Sequence, residues 1–354
     1  MRTEYWLIKM FISCKGGDDI MIKVDNISKS YYDKVAIDGI SLTVLPGQIQ
    51  GLVGDNGAGK TTLIKCMAGI YKPEKGRIII SGVGRGTFKE KSINADKGSN
   101  VATLTRVDEK VTSARAGKHA VEQEGIYNNP SLKEKIGYVS DNNEYIGRYT
   151  IKKMLKVYET YFPNFDKDKF EKLNQEFNLE LGAKIDSLSK GQKMRLGFML
   201  EVAKKPEYLL LDEPTSGLDP VAKKIFLEKL VEEVEKENIG VLISSHNLSD
   251  LEKLCDTITI LESGKVRSES GLDELKESLT KLQVVFPEGI DEKLLSRETV
   301  IQITNVGNVY TLIIEDYDSK KEKWLKDLGA GYMEELDMSL EELYIALETR
   351  KGES

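Results

Sequence analysis

The chain is short of cysteine, of long apolar runs and of positive charge, and each shortage removes a class of protein. Its three cysteines, Cys14, Cys66 and Cys255, form no C-x-x-C pair. That excludes a disulfide framework and suits a reducing compartment. The longest apolar runs, such as Tyr208 to Leu211, fall far short of the ~20 residues a membrane span needs, so a membrane role has to come through a partner. The net charge is −7 at pH 7, which argues against a nucleic-acid binder that works by general electrostatic attraction. What is present is a globular balance, 40% hydrophobic and 31% charged over 354 residues, enough for one large domain or two ordinary ones.

The first twenty residues read apart from the rest. Tyr5 to Ser13 is apolar, but Lys9 interrupts it and no small-residue cleavage site follows, so a secretory signal is not expected. Lys15-Gly16-Gly17-Asp18 is how a purine-rich ribosome-binding site reads when translated in frame. Residues 1–20 are therefore expected to be a non-native N-terminal extension, with Met21 the natural start; a short, poorly ordered tail is the alternative.

Gly54-Asp55-Asn56-Gly57-Ala58-Gly59-Lys60-Thr61-Thr62 fits G-x-x-x-x-G-K-[ST], the loop that cradles phosphates. It stands between a strand-like run, Ile49 to Val53, and a helix-like one, Leu63 to Ala68, which is the context this motif requires. Gly54, Gly57 and Gly59 allow a tight turn whose N–H groups point inward at phosphate oxygens, and the following helix adds the positive end of its dipole. Lys60 is expected to reach the β- and γ-phosphates, and the Thr61 hydroxyl to ligate Mg²⁺. Upstream, Tyr31 and Tyr32 lie between the strand-like stretches Met21–Val24 and Ser41–Val44; an aromatic there stacks on a purine or simply packs. Arg77–Ser81 reads as a further strand.

From residue 83 to 125 the texture changes to mixed charges with Gly, Ser, Thr and Asn and a single aromatic, Phe88. Structureless loops of this length are uncommon inside compact domains. The stretch is an insertion, either a tolerated surface element or a partner-binding one, and its His119 has no evident role. Ile136–Val139 resumes as a strand before Ser140-Asp141-Asn142-Asn143, and helical patterns follow at Ile151–Tyr161 and Lys167–Phe177. Leu188-Ser189-Lys190-Gly191-Gln192 precedes another helical run, Lys193–Lys204. Ser189 and Gly191 at that helix start make either a second phosphate-facing surface or a plain capped start.

Tyr208–Leu211 is a fully apolar strand that delivers Asp212 and Glu213 at its carboxyl end. Asp212 there holds Mg²⁺ through water, and Glu213 accepts a proton from an attacking water; a solvated turn before Pro214 is the blander alternative. Ser216-Gly217-Leu218-Asp219 forms the next loop. Ile239–Ser244 ends at Ser245-His246, where a histidine senses or holds a γ-phosphate.

Together these stretches closely resemble the ATPase subunit of ATP-binding cassette (ABC) transporters. In order they look like its adenine-stacking aromatic (Tyr31), its Walker A loop (Gly54 to Thr62), its signature (Leu188 to Gln192), its Walker B strand with glutamate (Leu209 to Glu213), its D-loop (Ser216 to Asp219) and its switch histidine (His246). The resemblance covers about residues 21–270 apart from the insertion. It implies an α/β P-loop NTPase cassette, with a mixed core sheet flanked by helices, an antiparallel β subdomain and a helical signature subdomain. It also implies ATP and Mg²⁺ as ligands, with Thr61, Asp212 and Asp141 toward the metal and Glu213 and His246 catalytic. ATP would lie between the Walker A loop of one subunit and Ser189, Gly191, Gln192 and Asp219 of a second, in a homodimer or heterodimer. A separately encoded polytopic permease would be the membrane partner, with the chain on the cytoplasmic face of the membrane and no nucleic acid bound. Two residues depart from the family's pattern: Asp141, after Ser140, stands where a glutamine after proline is usual, and Lys190 stands where a glycine is common in the signature.

Residues 271–354 carry a helix-like stretch, Leu272–Leu279, then strands at Leu282–Phe286, Val300–Thr304 and Tyr310–Glu315, a helix near Ser319–Leu328 and a closing amphipathic helix, Met338–Leu347. This resembles the small α+β appendage of ATPase subunits paired with drug, antibiotic or polysaccharide exporters. The expected function is thus an ATP-hydrolysing exporter subunit; the alternative is a soluble ATPase of the same superfamily acting on ribosomes or DNA.

Overall fold

The computed structural model describes residues 21–32, 34–81, 126–141, 145–295 and 299–349. The expected extension (1–20) and insertion (83–125), with His119, lie outside the described residues.

In chain order, strands β1 (Met21–Tyr31) and β2 (Lys34–Val44) form a hairpin, β3 (Ile49–Val53) leads into helix α1 (Lys60–Met67), and β4 (Lys75–Ser81) returns to β1. Helix α2 (Pro130–Glu134) precedes β5 (Ile136–Val139), and three helices follow: α3 (Ile151–Tyr161), α4 (Lys167–Phe177) and α5 (Lys190–Ala203). Then come β6 (Tyr208–Asp212), α6 (Pro220–Glu237), β7 (Gly240–Ser244), α7 (Leu248–Leu254), β8 (Thr257–Glu262) and β9 (Lys265–Gly271). The tail holds α8 (Leu272–Glu277), β10 (Leu279–Val285), β11 (Val300–Val306), β12 (Val309–Glu315), α9 (Ser319–Asp327), β13 (Tyr332–Leu336) and α10 (Leu340–Thr349).

The central sheet runs β5-β6-β7-β3-β8-β9, parallel except for the β8–β9 pair. Every residue of β3, β6 and β7 is buried, which is why β6 and β7 read as near-continuous apolar runs, while the buried Gln50 of β3 bonds Thr259 and Glu269. Alternation reappears in where the side chains go. Leu52, Leu210 and Leu242 face one core with Leu63, Ile64 and Met67 of α1 and Ile22, Val24 and Ile27 of β1. Leu209, Leu211, Val241 and Ile243 face the other, against Phe170, Phe198, Phe226 and Leu230 of the helical layer. The antiparallel sheet β2-β1-β4 thus covers α1, and α1 covers the central sheet. Parallel strands place their carboxyl ends on one edge, and ligands bind outside that edge. The loops after β3, β5, β6 and β7 all open there.

The tail sheet, β11-β12-β10-β13, has its own core around Leu282, Val284, Phe286, Leu312, Ile314 and Leu325. The closing helix α10 lies outside that core, packed against both α7 and β11. Leu340, Leu343 and Ala346 are buried in the core of the central sheet. The Arg267 guanidinium donates to the Leu347 carbonyl at 2.8 Å, and the Glu252 carboxylate of α7 accepts from Lys276 Nζ at 2.5 Å and from the Leu340 N–H at 3.3 Å. A boundary at residue 271 therefore divides the sequence but not the packing. One expected element is corrected: the helix from Leu272 stops at Glu277, and Leu279 opens β10 opposite Glu315. Leu282 and Val284, two residues apart, face the tail-sheet core, while Leu279 on the opposite face enters the core of the central sheet; that period-two packing wins over helix periodicity.

Candidate functional site

The phosphate loop is pinned on both sides. Gly54 and Gly59 hold φ of +155° and +107°, and a Cβ at Gly54 would run into the Leu261 carbonyl, while one at Gly59 would come within 2.6 Å of that of Ala36. Only glycine fits at either place. Gly59 caps α1 with no side chain on its first N–H groups, which leaves those donors for an anion. Asp55, Asn56 and Gly57 form the exposed tip and Ala58 is buried beneath it, its N–H donating to the Asp55 carbonyl at 3.0 Å. Lys60 is buried, and its ammonium donates to the carbonyls of Gly54 and Asp55 at 2.5 and 3.2 Å.

Three loops meet behind it. The Thr61 hydroxyl donates to Asp212 Oδ1 at 3.2 Å and the Ser244 hydroxyl donates to the same oxygen at 2.8 Å. Burial raises the Asp212 pKa above the ordinary carboxylate range, and the two hydroxyls offset this only in part. One residue on, Glu213 sits in the left-handed region at φ +51°, a conformation costing a non-glycine residue about 1–2 kcal/mol. Its N–H donates to the carbonyl and the hydroxyl of Ser244, at 3.2 and 3.0 Å. That turn aims the carboxylate at His246, whose Nδ1 lies 2.6 Å from Glu213 Oε2 and whose N–H donates to the same oxygen at 3.2 Å. The imidazole is 68% exposed and the Glu213 side chain 18%, so the pair faces outward from a buried base.

Tyr31 ends β1 beside the loop. Its ring meets that of Tyr71 edge-on, 5.8 Å between centroids at 75°, and stays 38% exposed; burial raises its hydroxyl pKa, against a hydrogen bond with Thr62. Tyr32 is fully exposed in the turn.

The signature residues lie elsewhere on the chain's surface and make their contacts locally. Ser189 caps α5: its hydroxyl accepts from the Gln192 N–H at 3.2 Å, and the Gln192 side-chain oxygen accepts from the Ser189 N–H at 2.9 Å, a reciprocal capping box. Gly191 packs so tightly that a Cβ would lie 2.8 Å from the Gly217 carbonyl. Asp219 caps α6, its carboxylate accepting from the N–H groups of Val221 and Ala222 at 3.1 and 2.9 Å. Those hydrogen bonds hold its pKa below the usual range. Asp141, after β5, is ion-paired with Lys190 at 2.5 Å. The capped-start reading of Ser189 and Gln192 is thus present in full, together with an exposed Ser189.

The structure brings Lys60, Thr61, Asp212, Glu213 and His246 together and sets Ser189, Gly191, Asp141 and Asp219 in a second group. Sequence reading missed Ser244, whose hydroxyl holds both Asp212 and Glu213; the signal was a polar residue closing an otherwise apolar strand. It also missed helix α6, although Asp219 before Pro220 is a cap followed by proline at the first helical position.

Hard oxygen donors, Thr61 and Asp212, fit Mg²⁺, which takes few protein ligands and completes its shell with phosphate and water. Among the described residues no group of three or more His, Cys, Asp or Glu could hold a metal.

The sequence profile of the ABC transporter family matches residues 37–216. The ABC transporter ATP-binding protein YtrB of Bacillus subtilis is 30% identical over 327 residues, 92% of this chain and 97% of that one. The bacitracin transport ATP-binding protein BcrA of Bacillus licheniformis is 32% identical over 258 residues, 73% of this chain and 72% of that one. Among solved structures, an ATP-binding subunit of an ABC transporter superposes with a TM-score of 0.56 at 23% identity, covering 72% of this chain and 92% of that one. A dimeric bacterial ABC transporter cassette superposes at 0.54 with 18% identity, covering 71% and 98%; both show the same fold. Among the described residues no helix is long and apolar enough to cross a membrane. The chain belongs to the ABC transporter family, as an ATP-binding, ATP-hydrolysing subunit.

Proposed function

We propose that the chain energises export through a separately encoded polytopic permease, and that it works as a pair of ATPase subunits on the cytoplasmic face of the membrane. The observation that carries the hydrolytic part is the Glu213–His246 contact of 2.6 Å beside the Thr61–Asp212 hydrogen bond. Glu213 takes the proton of the attacking water. His246 holds its carboxylate in line, and Lys60 with the loop N–H groups of Gly54 to Thr62 binds the phosphates. Mg²⁺ would be held by Thr61 and Asp212 and would supply charge neutralisation when bound; Asp141, expected as a third donor, is instead ion-paired with Lys190. Tyr31, exposed at the mouth of the loop, is placed to stack on the base.

Ser189 and Gly191 stand apart from the phosphate loop of their own chain, so each complete site joins the loop of one subunit to the signature surface, with Gln192 and Asp219, of another. Export is supported by one relative whose name states it, the Nod factor export ATP-binding protein I of Burkholderia orbicola, 28% identical over 282 residues. Co-purification of the full chain with a polytopic membrane protein, and loss of about 10²–10⁴ in turnover for Glu213→Gln with ATP still bound, are the expected results. Unchanged turnover in that variant would remove Glu213 from the reaction.

A further inference from the structure

One ammonium joins three loops at the edge of the site. Lys190 Nζ lies 2.5 Å from Asp141 Oδ1, in the loop after β5, and donates to the Ser216 hydroxyl at 3.0 Å, in the loop after β6. Lys190 itself is the first residue of α5, next to Ser189. The connection continues inward: the Ser216 N–H donates to the Glu213 carbonyl at 3.1 Å, and the Lys190 stem lies where Gly217, at φ +77°, would carry a Cβ, 3.2 Å from its Cδ. Gly191 closes on the Gly217 carbonyl from the same side. A path of direct contacts therefore runs from Asp141 through Lys190 and Ser216 to the backbone of Glu213, the residue held in the left-handed conformation.

Such a conformation persists only where its surroundings over-determine it. Ser244 holds the N–H side of Glu213, and the Ser216 turn holds its carbonyl side. Without Asp141, the Lys190 ammonium would be left with the Ser216 hydroxyl and water. The two side chains are 42% and 34% exposed, so their pairing has a modest worth by itself; its effect lies in fixing the geometry of the turn.

We propose that Lys190 is a positioning residue for Glu213, and that Asp141 is the counter-ion that keeps it in place. This rests on the reading of Glu213 as the base. Lys190→Met should lower kcat about five- to twenty-fold, with KM for ATP changed less than two-fold, since Ser189 and Gly191 and the phosphate loop keep their own contacts. Asp141→Asn should lower kcat by a smaller factor. The double variant should lose about three- to ten-fold less than the product of the single losses, the signature of residues in contact. Lys190→Arg, which keeps the charge and reach, should retain at least half of the activity.

The deciding experiment is steady-state ATP hydrolysis by the full-length chain for these variants, repeated in the Glu213→Gln background, with thermal melts beside it. In that background Lys190→Met should cost less than a further two-fold, since its effect passes through Glu213. Single losses that simply multiply, a Lys190→Met loss that persists undiminished beside Glu213→Gln, or a loss that appears only as a raised KM would each overturn the proposal. Full activity in Glu213→Gln alone would instead fail the reading of the base, which keeps the two failures apart. Should Lys190→Met melt low, Lys190→Gln with Asp141→Asn carries the same cycle.

Discussion

The Tyr344 hydroxyl lies 3.4 Å from the Asp55 carboxylate, which joins the last helix of the chain to the second residue of the phosphate loop across 289 positions of sequence. The contact exists because Leu340, Leu343 and Ala346 seat α10 in the core of the central sheet, leaving Tyr344 on the helix face beside the loop. The tail thus reaches the nucleotide site directly. Tyr344→Phe keeps the ring and removes the hydroxyl. For a long, exposed hydrogen bond the loss belongs at the low end, about 0.5 kcal/mol, so KM for ATP should rise about two-fold with kcat unchanged, as read by steady-state kinetics.

The same seating predicts that the tail stabilises the cassette. Leu343 is fully buried, and Leu343→Ala should cost about 2–5 kcal/mol, the range for a leucine truncated in a packed core. A chain in which the tail folded separately would show two thermal transitions and lower only the tail's. Docking of α10 on the central sheet predicts that the ATP-protected transition falls as well, measured by calorimetry with and without ATP.

Acid sensitivity has an assignable contributor in Asp166. It caps α4, accepting from the Lys169 N–H at 2.9 Å, and pairs with Lys205 at 2.9 Å. The Lys205 ammonium, then that N–H, hold its pKa below the usual range. A carboxylate depressed in the folded state contributes stability above its unfolded pKa of about 3.9 and loses it as pH falls through the folded value. Asp166→Asn preserves the cap, because asparagine caps as well as aspartate, but cannot titrate. It should cost less than about 1 kcal/mol at pH 7, given how exposed the pair is, and the gap to the native chain should be smaller at pH 3. Urea unfolding at the two pH values reads this.

The phosphate loop and the strand ending in Asp212 and Glu213 were legible in the sequence because their constraints are local. A strand, a glycine-rich turn and a helix start are adjacent in the chain, and full burial writes itself as an apolar run. The placement of α10 was not legible, because its amphipathic pattern says that one face is buried but not against what. The same holds for Glu201 and Lys204 on α5. Nothing local in the helical run marks these charges as buried, yet Lys204 Nζ bonds Glu201 at 2.7 Å and the Ile136 carbonyl at 3.2 Å, while Glu201 accepts from the Tyr158 hydroxyl at 2.9 Å. A buried pair of this kind depends on partners contributed by β5 and α3, far off in sequence. The Asp141–Lys190 pair is the functional counterpart. Each residue looked like an isolated departure from the family's pattern, and only the fold shows that one answers the other.

The central claim is that hydrolysis occurs at a site shared by two chains and driven by Glu213. Sedimentation of the full-length Glu213→Gln chain, with and without ATP and Mg²⁺, tests it most directly. The account predicts that ATP doubles the sedimenting mass, with one nucleotide retained per chain, and that adding Ser189→Arg abolishes the doubling while leaving ATP bound. A mass that ATP leaves unchanged while the nucleotide is bound would contradict it.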